Sequence, residues 1–235
     1  MALLDEAIEA HGGLARWNQL RRFTLHFSIA GALLSRLGRA DRRKDLIAEG
    51  SIHQPSVRFS GLMDADTFGS FQPDVVTIEN LDGETIRSWR NPSLRHAEAT
   101  ADLLEDEMQL IFFCGFSIWN YVATPFVLSR PDVAVEELAP WSEGAQSWRR
   151  LRAAFPPQLT AYAPEQVFYF DENGLQRRTD HRLGDTSIAH LSWAHQSFCD
   201  IVVPTLRRSQ VLNADGTVRT RPVLLDVEIF DAAFE

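Results

Sequence analysis

Cysteine is scarce in this chain: Cys114 and Cys199 are the only two in 235 residues. They lie far apart and neither has a second ligand at metal-binding spacing, so two reduced thiols are expected, with no disulfide framework and no metal site. Positive charge is in deficit as well, with 23 Lys and Arg against 32 Asp and Glu, a net charge of -9. Such a surface repels phosphate backbones, and nucleic acid is not an expected partner. No apolar run reaches the roughly 20 residues of a membrane helix. The longest, Leu110 to Val122, is interrupted by Gly115, Ser117 and Asn120, so no integral membrane segment is expected. The first nine residues carry Asp5, Glu6 and Glu9 instead of the basic, then apolar, then small-residue order of a secretory signal, which makes the cytoplasm the expected location. Also missing are the G-x-S-x-G elbow, the phosphate loop, the dinucleotide fingerprint and the H-E-x-x-H pair. No cofactor is implied, and the common enzyme classes lose weight.

What is present reads as an ordinary globular chain, 45% hydrophobic and 23% charged, expected to fold as one domain over residues 1–235. Leu3, Leu4, Ala7 and Ile8 recur at helical spacing and predict a helix over Ala2–Leu20, with a break at Gly12-Gly13. From Phe23 the period becomes two, as Phe23, Leu25, Phe27 and Ile29 alternate with Thr24, His26, Ser28 and Ala30, which predicts a half-buried strand. Further strands are expected at Leu46–His53, Val57–Leu62, Val75–Leu81 and Thr85–Arg90. A second helix is expected at Ala101–Phe113, where Leu103, Leu104, Met108, Ile111 and Phe112 share a face. A run of strands then fills Val133–Leu138, Gln146–Ala154, Gln166–Asp171, Leu175–Leu183, Ser187–Phe198, Val203–Leu212 and Pro222–Phe230. The turns ending in Gly83, Gly174 and Gly216 suit hairpins, because Asn and Gly accept positive φ. The order predicts an α+β fold that is mainly β: a large curved antiparallel sheet, an incomplete barrel, wrapped around an inserted helical segment, with an N-terminal helix.

Several stretches carry a family resemblance. These are His11-Gly12-Gly13-Leu14-Ala15-Arg16-Trp17, then Phe113-Cys114-Gly115-Phe116-Ser117-Ile118-Trp119-Asn120-Tyr121 with Ala123-Thr124-Pro125-Phe126, and Trp148-Arg149-Arg150-Leu151 with Phe155-Pro156. Glu165-Gln166-Val167-Phe168-Tyr169-Phe170-Asp171 through Arg177-Arg178-Thr179-Asp180, and Pro204-Thr205-Leu206-Arg207-Arg208, complete the pattern. Together they resemble an uncharacterised bacterial family similar to the lipoprotein-carrier group typified by LolA and LppX. That resemblance implies an incomplete barrel around helices that holds acyl chains or other apolar ligands.

Two constellations bear on function. The first is aromatic: Trp89, Phe112, Phe113, Phe116, Trp119, Tyr121, Trp148, Phe168, Tyr169 and Trp193 gather around the central helix and the strands that follow. Buried Trp and Tyr need partners for their polar tips, so such a set suits a cavity for a hydrophobic small molecule or lipid. The second is polar: His26, Tyr162, Asp180, His181, His190 and His195 are candidate acid–base groups, since histidine titrates near neutrality. With them the same cavity would serve an enzyme of specialised metabolism, a cyclase, isomerase or lyase. Strand alternation sends Asp180 and His181 to opposite faces, and likewise His190 and His195, so at most two share a pocket. The plainer reading is that each is a surface or satisfied core residue. The pairs Arg149-Arg150, Arg177-Arg178 and Arg207-Arg208 suggest either an arginine ladder on one face that would bind carboxylate or phosphate, or outward cations that pair with the acidic surplus, which is the favoured reading. Oligomeric state has no signature in the sequence.

Overall fold

The computed structural model describes residues 2–36, 43–92, 106–144, 146–159 and 163–235. The apolar residues of β1 (Arg22–Ala30) alternate as expected, with Phe23, Leu25, Phe27 and Ile29 all buried. Hairpins lead outward from it through β2 (Arg43–Ser51), β3 (Ser56–Ser60), β4 (Thr67–Gln72), β5 (Val75–Asn80) and β6 (Thr85–Arg90). On its other side β1 pairs with the last strand, β13 (Val218–Phe234). From there the sheet steps back through β12 (Ile201–Leu212), β11 (Thr186–Phe198), β10 (Gln176–Leu183), β9 (Glu165–Phe170), β8 (Gln146–Ala154) and β7 (Ala134–Glu143). Every neighbour is antiparallel, and β6 and β7 remain free edges. The result is one open 13-stranded sheet among the described residues, mainly β and not closed into a barrel.

The N-terminal helical stretch is two pieces, α1 (Ala2–Ala10) and α2 (Leu14–Trp17), parted by Gly12 and Gly13 at φ +115 and +80. A Cβ on Gly12 would stand 2.1 Å from the Asp200 carbonyl oxygen, so only glycine lets this corner touch the β11–β12 turn. A short α3 (Ala32–Arg36) follows β1. The inserted helix, α4 (Glu107–Ala123), is capped by the Asp106 side chain, which accepts from Gln109 N.

α4 differs from expectation in register: it runs ten residues past Phe113, and residues 101–105 lie outside the described segments. Gly115, Ser117 and Asn120, read as interruptions, are interior positions of a helix buried on all sides. Gly115 is there because Phe71 packs against it, where a Cβ would come within 2.3 Å of the Phe71 side chain. β4 has no counterpart among the expected strands. Its Gly69 takes the place of a side chain so that Ile111 can lie against the sheet.

Candidate functional site

α4 fills the concavity of the sheet. Met108, Leu110 and every residue from Ile111 to Ala123 are buried, packed on the inward side chains of β2 to β5 and continuous with the rest of the core. A helix apolar all round is stable only when surrounded on every side. Trp119 meets its polar requirement by donating Nε1–H to the Ser51 carbonyl at 3.1 Å.

Beside the C-terminal half of α4 the interior becomes polar. β12 explains why: Thr205, Arg207 and Ser209 share one strand parity and are buried, while Leu206 on the opposite parity is exposed. The usual alternation is inverted there, with the polar side turned inward. Register brings Ser192 and His190 of β11 opposite Arg207 and Ser209, and Thr179 of β10 opposite His190. His190 Nδ1 lies 2.6 Å from the Tyr121 hydroxyl and 2.7 Å from the Ser209 hydroxyl. The His181 ring stacks on His190 with centroids 4.9 Å apart. Asn120 donates to Gln166 across the same interface at 2.7 Å.

Arg207 is the outlier of this group. It is 1% exposed, its guanidinium carbon lies 4.1 Å from the Tyr121 ring centroid, and Nη2 donates to the Tyr121 carbonyl at 3.1 Å. Nε and Nη1 have no partner among the described residues. No Asp or Glu is among the buried described residues. The interior is therefore basic inside an acidic protein, and the titratable groups register it. Burial holds the His181 ring at a pKa of about 4 and, joined by repulsion from His181 and Arg207, holds His190 well below its usual range. Desolvation alone lowers Arg207 to about 10, against a small opposing pull from Tyr121. Burial also raises the Tyr121 phenol and pushes the Cys114 thiol up to about 12, which leaves that thiol an inert packing group.

Of the six acid–base candidates, the structure brings His181 and His190 together and disperses the others. His195 follows Ala194, whose φ is +50, and its Nε2 lies 3.0 Å from the Gln176 carbonyl oxygen, with its ring 6.1 Å from that of His11 at the end of α1. Burial holds both His11 and His195 at about 4. Asp180 faces the other side of the sheet, clamped by Arg178 at 2.6 and 2.8 Å and by the Tyr169 hydroxyl at 2.7 Å. His26 is partly exposed, 3.4 Å from Asp45. Tyr162 lies outside the described residues. His11, Arg207 and Ser209 were not among the candidates; the inverted polarity of β12 is the signal that marks the last two.

The aromatic set divides in the same way. Phe112, Phe113, Phe116, Trp119, Tyr121 and Phe168 are buried in the core, and Trp89 packs on Phe112 at 5.7 Å. Trp148 and Tyr169 lie on the opposite face with Trp141, Arg150 and Arg178, and Trp193 is 38% exposed. The arginine pairs do not form one continuous ladder: Arg150 and Arg178 lie over the Trp141 and Tyr169 rings on one face, Arg149 pairs with Glu137 and Glu6, Arg177 with Asp171 and Arg208 with Asp226, and Arg207 points inward.

Under α4 the remaining space is small. A cavity of about 10 Å³, lined by Phe116, Ser117, Tyr121, Thr179, His181 and His190 among others, has room for about one water. His181 also borders a surface depression of about 380 Å³ beside Gln166 and Asp180. The largest groove, about 950 Å³, is elsewhere and polar, and its Arg58 and Glu79 neutralise each other at 3.4 Å. The described residues contain no cluster of His, Cys, Asp or Glu that could hold a metal.

A LolA superfamily protein from Nitrosomonas europaea superposes over 99% of this chain and 91% of its own, with a TM-score of 0.55 and 10% identity. The fold is LolA-like. A domain from Vibrio parahaemolyticus described as an outer membrane lipoprotein-sorting protein matches 99% of the chain and 92% of its own at a TM-score of 0.52 and 11% identity. A DUF1329 family protein from Desulfovibrio piger matches 100% and 92% at 0.54 and 9%. No family model and no curated protein matches the sequence. The LolA-like sheet thus extends over nearly the whole chain, and α4 is the element lodged in its concave face. Among the described residues no helix is long and apolar enough to cross a membrane.

Proposed function

We propose that this protein binds a hydrophobic small molecule or lipid in the space that α4 occupies here. The reading rests on one observation above the rest: among the described residues the hollow of the sheet is filled by a single buried, mainly apolar helix, with a cavity of only about 10 Å³ beside its C-terminal half. A ligand in that space takes over the apolar contacts that α4 side chains make with the sheet. The likeness to a lipoprotein-sorting domain supports the same reading. Phe71 and Trp89, which pack against α4 from the sheet, supply part of the lining, and rings of this size bury large apolar areas against a ligand as readily as against a helix. His181 lines both the small cavity beside α4 and the surface depression of about 380 Å³, so it stands between the polar end of the hollow and solvent.

Native mass spectrometry of the chain purified from its own host checks this. An adduct of several hundred daltons that is lost in organic solvent is expected. A chain that carries no adduct from its host and takes up no long-chain compound afterwards contradicts the proposal.

A further inference from the structure

We propose that the ligand is an anionic amphiphile, a long-chain carboxylate, and that Arg207 on β12 is the anchor for its head group. The inference rests on the binding reading above and deepens it. A buried charge is ordinarily paired or fully hydrogen-bonded. Arg207 is neither: two of its three nitrogens are without a partner among the described residues, and no carboxylate is buried with it. The chain has an acidic surplus of nine charges, and each neighbouring arginine, including Arg208 on the same strand, has its acid. Of the two arginines buried among the described residues, Arg178 has Asp180, and Arg207, at the end of the apolar hollow, has no acid.

The position suits a head group. Arg207 faces Tyr121, near the C-terminal end of α4. The seventeen residues of the helix occupy about 25 Å, a path long enough for an extended alkyl chain. In the closed form Nη2 holds the Tyr121 carbonyl. When α4 withdraws, that bond is given up, and Nη1 and Nη2 together present the fork that a carboxylate accepts with both oxygens. One guanidinium balances one negative charge, which favours a carboxylate over a phosphate dianion. His190 and Ser209, on β11 and β12, stand beside it with neutral polar groups that solvate the head group without competing for its charge.

Calorimetric titration of the full chain with oleate, with oleyl alcohol and with acetate separates charge from chain. The parent is expected to bind oleate at least tenfold more tightly than oleyl alcohol, and not to bind millimolar acetate. Arg207→Met is expected to bring the oleate-to-alcohol ratio to about one, Arg207→Lys to keep part of it, and Arg208→Met to keep all of it. Arg207→Met should also melt no lower than the parent, because it removes an uncompensated buried charge. A parent ratio near one, or a preference that survives in a folded Arg207→Met, overturns the anchor while leaving ligand binding standing. Acetate binding as tight as oleate overturns the amphiphile in favour of a bare-anion site. If neither oleate nor oleyl alcohol binds, the binding reading fails and the anchor fails with it.

Discussion

Lowering the pH from 7 to 5 is expected to remove on the order of 4–6 kcal/mol of folding stability, a large share of what a domain of this size has. The cause is the set of buried neutral histidines. His11 and His181 are held near pKa 4 and His190 well below its usual value, all three chiefly by burial. In the unfolded chain each returns to about 6.5 and takes up a proton as the pH falls through that value. The stability they confer is complete above about pH 6.5 and declines as the pH drops toward 4, by about 2 kcal/mol for each fully buried ring at pH 5. Asp180 works the other way, since burial raises its pKa above its usual value of 3.8 and neutralisation relieves it, but it is a single group set against several histidines. Urea titrations at pH 7, 6 and 5 should show the midpoint falling steeply. The double substitution His181→Gln, His190→Gln should flatten the decline by about half, since His11 and the partly buried His195 remain. An equally steep decline in that variant would mean that the rings are not buried as described.

Trp119→Ala is expected to cost about 4 kcal/mol and to lower the melting temperature by about 8–16 °C for a domain of this length. The residue is 1% exposed, sits among Ile52, Trp17 and Phe126, and anchors α4 to β2 through the Ser51 carbonyl. The void it leaves is bounded mainly by apolar side chains, and such voids stay dry and take up small aromatic molecules. Indole should therefore restore part of the loss, raising the melting temperature of the variant and not that of the parent. Differential scanning calorimetry with and without indole measures both effects. A variant that loses stability and ignores indole would show that α4 collapses into the gap.

These expectations depend on details that strand patterns reveal unevenly. β1, β8 and β11 were legible because their alternation and turn residues agree with the sheet. β4 was not, because Phe68 and Phe71 have opposite parity and Gly69 stands where a side chain would have marked the inner face. The length of α4 was hidden for a related reason: a helix buried on all sides has no polar stripe to set its period, and Gly115 and Asn120 look like ends when they are contacts with Phe71 and Gln166. For the site, alternation correctly parted Asp180 from His181. It could not show which parity of β12 faces inward, and Arg207 therefore read either as a rung of an anion-binding ladder or as an outward cation. The isolated partial exposure of His195 arises from Ala194 at φ +50, which no periodicity announces.

The claim that α4 makes way for the ligand is tested most directly by locking the helix in place. A Cβ on Gly69 would lie 2.8 Å from Ile111 Cγ1 and Cδ1 and 3.5 Å from Cγ2. The β-carbons of Gly69→Cys and Ile111→Cys would then stand about 3.5–4.3 Å apart, within the range of a disulfide. In a Cys199→Ser background, which removes the exposed thiol, binding of the uncharged fluorophore N-phenyl-1-naphthylamine is compared before and after oxidation. The account predicts saturable fluorescence for the reduced protein, at least tenfold weaker binding once the disulfide forms, and full recovery on reduction. Equal binding by the oxidised and reduced forms would contradict it.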